Sequence, residues 1–146
     1  MEPNALKVLI YGTWGSKVLV FDEPDFPEVE LQVPGGTIEY GEQADVAASR
    51  EFYEETGLRA ADPFKLLGMD DYKFWKNGQC VIHRRHFFHA ELGGELPETW
   101  THYEQSPFGG GPPILFRFLW LDIPEAVAKL GYGMEAKLPL LTSLTT

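Results

Sequence analysis

Apolar residues along the chain fall in short dense runs broken at Gly, Pro and Asn-Gly, a pattern that predicts a sheet protein with few helices. Residues 5–11 (Ala-Leu-Lys-Val-Leu-Ile-Tyr) and 17–21 (Lys-Val-Leu-Val-Phe) read as two strands joined at hairpin length through Gly12-Thr-Trp-Gly-Ser16. An acidic, Pro-containing loop from Asp22 to Glu28 leads to a short strand over 29–33, which Pro34-Gly35-Gly36 ends. The period then changes. Over 43–56, Ala44, Ala47, Ala48 and Phe52 keep helical spacing on one side, and Gly57 sits where a C-cap glycine belongs. Runs over 64–74 and 79–92 flank Trp75-Lys-Asn-Gly78 and predict a long antiparallel pair around an Asn-Gly turn. Residues 93–113 read as a long loop, functional or disordered. Residues 114–122 form a dense aromatic run that fits a central strand, followed by a helix around Pro124 to Leu130, and about residues 139–146 read as a frayed end. No repeat or linker interrupts this order, so residues 1–146 read as a single α+β or α/β domain.

Composition narrows the class. Hydrophobic residues at 44% and aromatics at 14% supply a packed core and exclude general disorder. The 22 acids against 12 bases leave a net charge of −10, which argues against duplex nucleic acid and anionic membranes as partners. A phosphate-bearing ligand would then need a divalent cation to mask the charge. The single cysteine, Cys80, rules out an internal disulfide framework and reads as a small packed residue in a strand. Met1-Glu2-Pro3-Asn4 lacks the features of a signal peptide, and the apolar runs are too short to span a bilayer, so a cytoplasmic, soluble protein is expected. The aromatic excess leaves room for a homodimer interface.

The chemistry concentrates between Gly35 and Leu58. Glu51, Glu54 and Glu55 lie at i, i+3 and i+4, so a helix puts all three carboxylates on one face. They sit in its C-terminal half, where the macrodipole already disfavours negative charge. A solvated acidic face is the plainer reading of such a run. Repulsion at this position makes more sense if cations bind, and hard oxygen donors suit Mg²⁺ or Mn²⁺ sharing their remaining positions with water and phosphate. Water activated by such a cation is a candidate nucleophile, with a glutamate to take its proton. Arg50 offers one compensating charge and could hold Glu42 or Glu51 by a bidentate pair, while Gly35-Gly36 allows close backbone approach to a metal or phosphate.

Gly36, five residues, Glu42, seven residues, Arg50-Glu51-Phe52, one residue, Glu54-Glu55, one residue, Gly57-Leu58 resembles the Nudix box of the Nudix hydrolases at every defining position. Ordinary residue frequencies give a chance match of roughly one in ten million, which displaces the solvated-face reading. The flanking strand order also resembles that family's α/β/α sandwich, with a mixed sheet and the box as a loop-helix-loop. The resemblance implies that Glu54, Glu55 and the Gly35 carbonyl are metal ligands. It makes Glu51 a ligand or the general base, oriented by Arg50, with Glu42 in support and Gly57 ending the helix. It further implies Mg²⁺-dependent hydrolysis of a pyrophosphate bond in a nucleoside diphosphate linked to another moiety. Family members also use a glutamate from a distant loop, for which Glu95, Glu98 and Glu104 are the candidates here.

Other residues read more plainly. His83, His86 and His89 recur every three residues in a predicted strand and cannot all face one way, so structure or solvent is favoured over a His metal site. Trp14, Trp75 and Trp120 read as core or rim, and Trp100, placed in the long loop, is the best candidate to stack a nucleobase. Phe108-Gly-Gly-Gly-Pro-Pro113 lacks the ending of a phosphate loop and reads as a lid or linker. A catalytically silent nucleotide- or metabolite-binding sensor is the rival function, disfavoured by the intact glutamate set. A Ca²⁺ module ranks lower for want of an Asp-x-Asp-x-Asp-Gly loop.

Overall fold

Strand β1 (Ala5–Trp14) and strand β2 (Lys17–Asp22) meet at the Gly15 turn, where a positive φ of 63° is cheap only for a residue without Cβ. Both strands are buried on both faces, which is why residues 8–11 and 18–21 are unbroken apolar runs rather than alternating ones. Val8, Ile10, Leu19 and Phe21 face one way, against Ala47, Ala48 and Phe52 of helix α1 (Ala44–Thr56). Leu9, Tyr11, Val18 and Val20 face the other, against Ile123 and Ala126 of helix α2 (Ile123–Lys129) and Leu141 of helix α3 (Pro139–Thr142). The result is the expected sandwich of a sheet between helices, seen in a computed structural model that describes residues 2–105 and 110–142.

The sheet completes itself with strand β3 (Gly35–Thr37), the pair β4 (Lys65–Lys76) and β5 (Gln79–Glu91), and strands β6 (Thr99–Glu104) and β7 (Ile114–Asp122). Its order is β4-β5-β1-β2-β7-β6, with β3 paired to β1. The β1–β5 pairing is parallel and the others antiparallel, so the sheet is mixed. The Asn77-Gly78 turn carries φ of 53° and 77°, as a two-residue hairpin of this type needs. Helix α1 ends at Gly57 with φ 79°, its N–H donating to the Tyr53 carbonyl.

Three expectations are corrected. The strand expected over 29–33 touches the sheet only through a Phe21–Gln32 bridge, and pairing proper begins at Gly35. A Cβ at Gly35 would run into the Val8 carbonyl, so the glycine pair read as a strand breaker is what lets this backbone lie against β1. Within the loop expected over 93–113, residues 99–104 form β6, an edge strand whose burial alternates residue by residue against β7. The period-2 signal was present in Thr-Trp-Thr-His-Tyr-Glu, muffled by the Gly and Pro around it. The reading of 108–113 as a lid or linker lies partly outside the described residues. Residues 139–142 are helical rather than frayed, and residues 143–146 lie outside the described residues.

The C-terminal segment is held from within. The Tyr11 hydroxyl donates to the Met134 carbonyl at 2.6 Å and accepts from the Lys137 amide at 3.1 Å, and burial pushes its phenol well above the usual tyrosine range. Leu138 and Leu141 are wholly buried beside it. Replacing Leu141 with Ala is expected to cost about 2–5 kcal/mol in urea unfolding, the range for a truncated core leucine. A cost near zero would restore the frayed reading.

Candidate active site

Strands β1 and β2 pair only near their hairpin, at Thr13↔Val18 and Trp14↔Lys17. Beyond that they part, β3 takes the place beside β1 at residues 7–9, and a cavity of about 780 Å³ opens in the split. That volume suits a small-molecule ligand. One wall is acidic, with Glu51, Glu54, Glu55 and Glu104; another carries Lys7, His83 and Arg85; and Phe21, Val33, Ile114, Phe116 and Met134 supply an apolar side.

The acidic wall is built from α1 outward. Ala47, Ala48 and Phe52 pack α1 onto the sheet, and Glu51 and Glu55, at i+4 from Ala47 and i+7 from Ala48, share that inward side, where they meet β3. Arg50 binds Glu42 through a fork, Nε to Oε2 at 2.8 Å and Nη2 to Oε1 at 2.9 Å. Its Nη1 donates to Glu51 at 2.8 Å and to Glu54 at 3.3 Å, and its Nη2 to the Thr37 carbonyl at 3.1 Å. The bidentate partner is thus Glu42, and Glu51 takes a single bond. Glu42 also accepts from the Glu39 amide, and the Arg50 hydrogen bonds pull its carboxyl down to about 2. A Cβ at Gly36 would collide with the Glu51 carboxylate, so this glycine is required by where Glu51 lies.

Glu55 is 5% exposed, and its Oε1 accepts from the Gly35 amide at 2.9 Å. Burial pushes its carboxyl well above the usual range, the neighbouring Glu104 adds to this, and the Gly35 N–H works against it. Burial likewise pushes Glu51 up to about 6, opposed by Arg50 and assisted by Glu54 and Glu104. Among the described residues, Glu51, Glu55 and Glu104 form a group whose carboxylate oxygens lie within 4.8 Å of one another. Three hard oxygen donors, one of them buried, with like charges in mutual contact, fit a divalent cation.

Of the sequence candidates, Glu51 and Glu55 thus meet Gly35, Gly36, Arg50 and Glu42 in one place. Glu104 joins them from the end of β6, which selects it from the distant glutamates. Glu95 and Glu98 are exposed and do not line the cavity. Glu54 lines the rim outside the trio, half exposed and paired with Arg50. Trp100 is corrected: its ring stacks on Phe118 at 5.1 Å and its indole N–H donates to the Thr56 carbonyl, so it packs the end of α1 and does not line the cavity. His86 and His89 meet the Lys7 carbonyl and the Thr13 hydroxyl, as structural histidines would, whereas His83 lines the cavity. Sequence reasoning passed over Lys7 and Arg85, which carried no motif; their one signal is a charge inside a predicted buried strand.

A mixed sheet between helices, with a loop-helix-loop presenting converging glutamates, defines a class in which the box motif is the site. The NUDIX domain family model matches residues 1–132, and the chain belongs to this family. It is similar to a Mycobacterium tuberculosis protein that carries the name MutT4, 33% identical over 109 residues that cover 73% of this chain; the chain spans only 38% of that relative. Among solved structures it is similar to a NUDIX hydrolase from Nitrosomonas europaea (TM-score 0.68, 24% identity, 98% of this chain and 90% of that one). It is also similar to a MutT NUDIX hydrolase from Burkholderia pseudomallei (TM-score 0.68, 17% identity, 95% and 98% covered). No helix among the described residues is long and apolar enough to cross a membrane.

The raised carboxyls have a stability consequence. Above pH 4.5, the ordinary glutamate value, the unfolded chain releases protons that Glu51 and Glu55 still hold in the folded state. The metal-free protein therefore loses the contribution of this pair as pH rises through about 6 and beyond. His83 and His89, held below the usual 6.5 by burial, act in the opposite sense as pH falls, so the informative quantity is the difference made by a cation. Thermal stabilisation by a fixed Mg²⁺ concentration is expected to be small at about pH 5 and to grow toward about pH 8, because the cation competes with protons for these oxygens. A Mg²⁺ shift independent of pH in a thermal melt would remove the carboxylate trio as its site.

Proposed function

We propose that this protein hydrolyses a pyrophosphate bond in a nucleoside diphosphate linked to another moiety, using a divalent cation, Mg²⁺ or Mn²⁺. The observation that carries this reading is the convergence of Glu104 from β6 with Glu51 and Glu55 from α1 inside one cavity. Names of relatives that include NUDIX hydrolase support hydrolysis as the reaction. Phe21 and Phe116, stacked on one another at 4.0 Å between centroids, give the apolar side an aromatic lining suited to a nucleobase.

The roles follow from the surroundings of each residue. Glu55, Glu104 and the rim residue Glu54 hold the cation, with the Gly35 carbonyl as a further oxygen. A cation bound there supplies charge neutralisation on the phosphoryl oxygens and lowers the pKa of nearby water. Glu51, oriented by Arg50 and poised near pH 6, accepts the proton of the attacking water. The water oxygen bonds to phosphorus, the bridging P–O bond breaks, and its electron pair leaves on the departing phosphate. Arg50 and Glu42 hold the geometry and do not touch the reacting atoms.

Two substitutions test this. Glu51→Gln is expected to lower kcat by about 10²-fold or more and to remove the acid limb of the pH–rate profile, with the circular dichroism spectrum unchanged. Glu55→Gln removes a buried like charge, so the metal-free variant should melt at or above the wild-type temperature while losing its Mg²⁺-induced shift. Purified protein is incubated with Mg²⁺ or Mn²⁺ and a panel of nucleoside triphosphates, dinucleotides and nucleotide sugars, and the products are identified. No turnover across the panel, or undiminished turnover in both variants, would overturn the proposal.

A further inference from the structure

We infer a second anion subsite in the same cavity, formed by Arg85, Lys7 and His83, that takes a substrate phosphate outside the anhydride being cut. It rests on the reading of the cavity as a phosphoanhydride site. Strands β1 and β5 run parallel with Lys7 opposite Arg85 and Ala5 opposite His83, so the three basic side chains stand on one face of two neighbouring strands. All three line the cavity.

Arg85 is the telling member. It is 6% exposed, yet the structure gives it no ion pair among the described residues, whereas Arg50, Arg84 and Arg117 each hold a carboxylate. Its contacts are one hydrogen bond, from Nη1 to the Tyr132 carbonyl at 2.6 Å, and the Tyr72 ring 3.9 Å beneath the guanidinium. Burial disfavours the guanidinium charge, and Asp70 and Glu135 act on it only through space, without an ion pair among the described residues. Lys7 and Arg85 repel one another, and both oppose protonation of His83, which burial and these two charges hold down to about 4. Lys7 Nζ donates to Thr37 Oγ1 at 2.7 Å, beside Gly36, and feels Glu51 and Glu55, which places the basic wall next to the acidic one. An anion bound to the basic wall relieves the repulsion. A planar guanidinium fork beside a lysine point charge is the donor set that phosphate favours. A substrate lying across both walls therefore carries phosphate at each: the anhydride at the carboxylates and another phosphate at Arg85.

The first test uses metal-free protein and inorganic phosphate, with the His83 imidazole followed by NMR and His86 and His102 as internal references. Phosphate is expected to raise the His83 pKa from about 4 in a saturable manner, and Lys7→Gln and Arg85→Lys each to weaken that binding about tenfold. Arg85 also holds the Tyr132 carbonyl, so if its variant fails to fold, Lys7→Gln decides alone. An unmoved His83, or wild-type phosphate binding in Lys7→Gln, overturns the subsite. Absence of turnover in the wild type would overturn the proposed function and leave this binding result standing. The second test compares KM in wild type and Lys7→Gln for a nucleoside triphosphate against its diphosphate, and for a nucleotide sugar with and without a phosphate ester on the sugar. A penalty of about tenfold confined to the phosphate-bearing member of one pair identifies the source of the phosphate. Equal penalties within both pairs overturn the assignment.

Discussion

Four carboxylates share one wall of a cavity, and a single guanidinium stands among them. Arg50 grips Glu42 with both arms of its fork, Glu51 with one nitrogen and Glu54 with the same nitrogen at longer range, while also donating to the backbone at Thr37. This one side chain offsets repulsion that would otherwise splay the acidic face of α1, and it ties that face to the loop before the helix. Glu55 lies beyond its reach and is held by the Gly35 amide instead. Glu51, Glu55 and Glu104 still converge, with carboxylate oxygens within 4.8 Å of one another, and that concentration of acids is the chemical character of the site.

The sheet determines where this charge can be used. Parting of β1 and β2 after two residue pairs opens the floor of the site, and the Cβ-free backbone at 35–36 closes one side by lying directly on β1 and under Glu51. The same parting leaves Lys7, His83 and Arg85 facing the opened space from β1 and β5. Acidic and basic walls thus belong to one architectural event, and a ligand filling the cavity meets both signs of charge. The two apolar clusters above and below the sheet keep this geometry rigid, since both faces of β1 and β2 are packed.

Much of this was legible in the residues. The 3.6-residue period over 43–56, Gly57 at its end and the Asn77-Gly78 turn are local signals, and the structure keeps them nearly residue for residue. The box glutamates could be placed on one face because helical geometry leaves no other arrangement. Trp100 shows the converse: Gly and Pro around its stretch predict a loop, whereas pairing with β7 makes it a strand and its ring packs on Phe118. The three-residue spacing of His83, His86 and His89 favours structure or solvent for all three, and which of them faces the cavity depends on the register of β5 against β1.

Spacing within one element suffices for the family motif, the helix that carries it and the grouping of its glutamates on one face, so these are legible in the residues alone. Tertiary structure alone decided that Glu104 rather than Glu95 or Glu98 completes the trio, and that Lys7 lies opposite Arg85. Those pairings join residues 49 or more positions apart, and their register follows from which faces of the strands must be buried together.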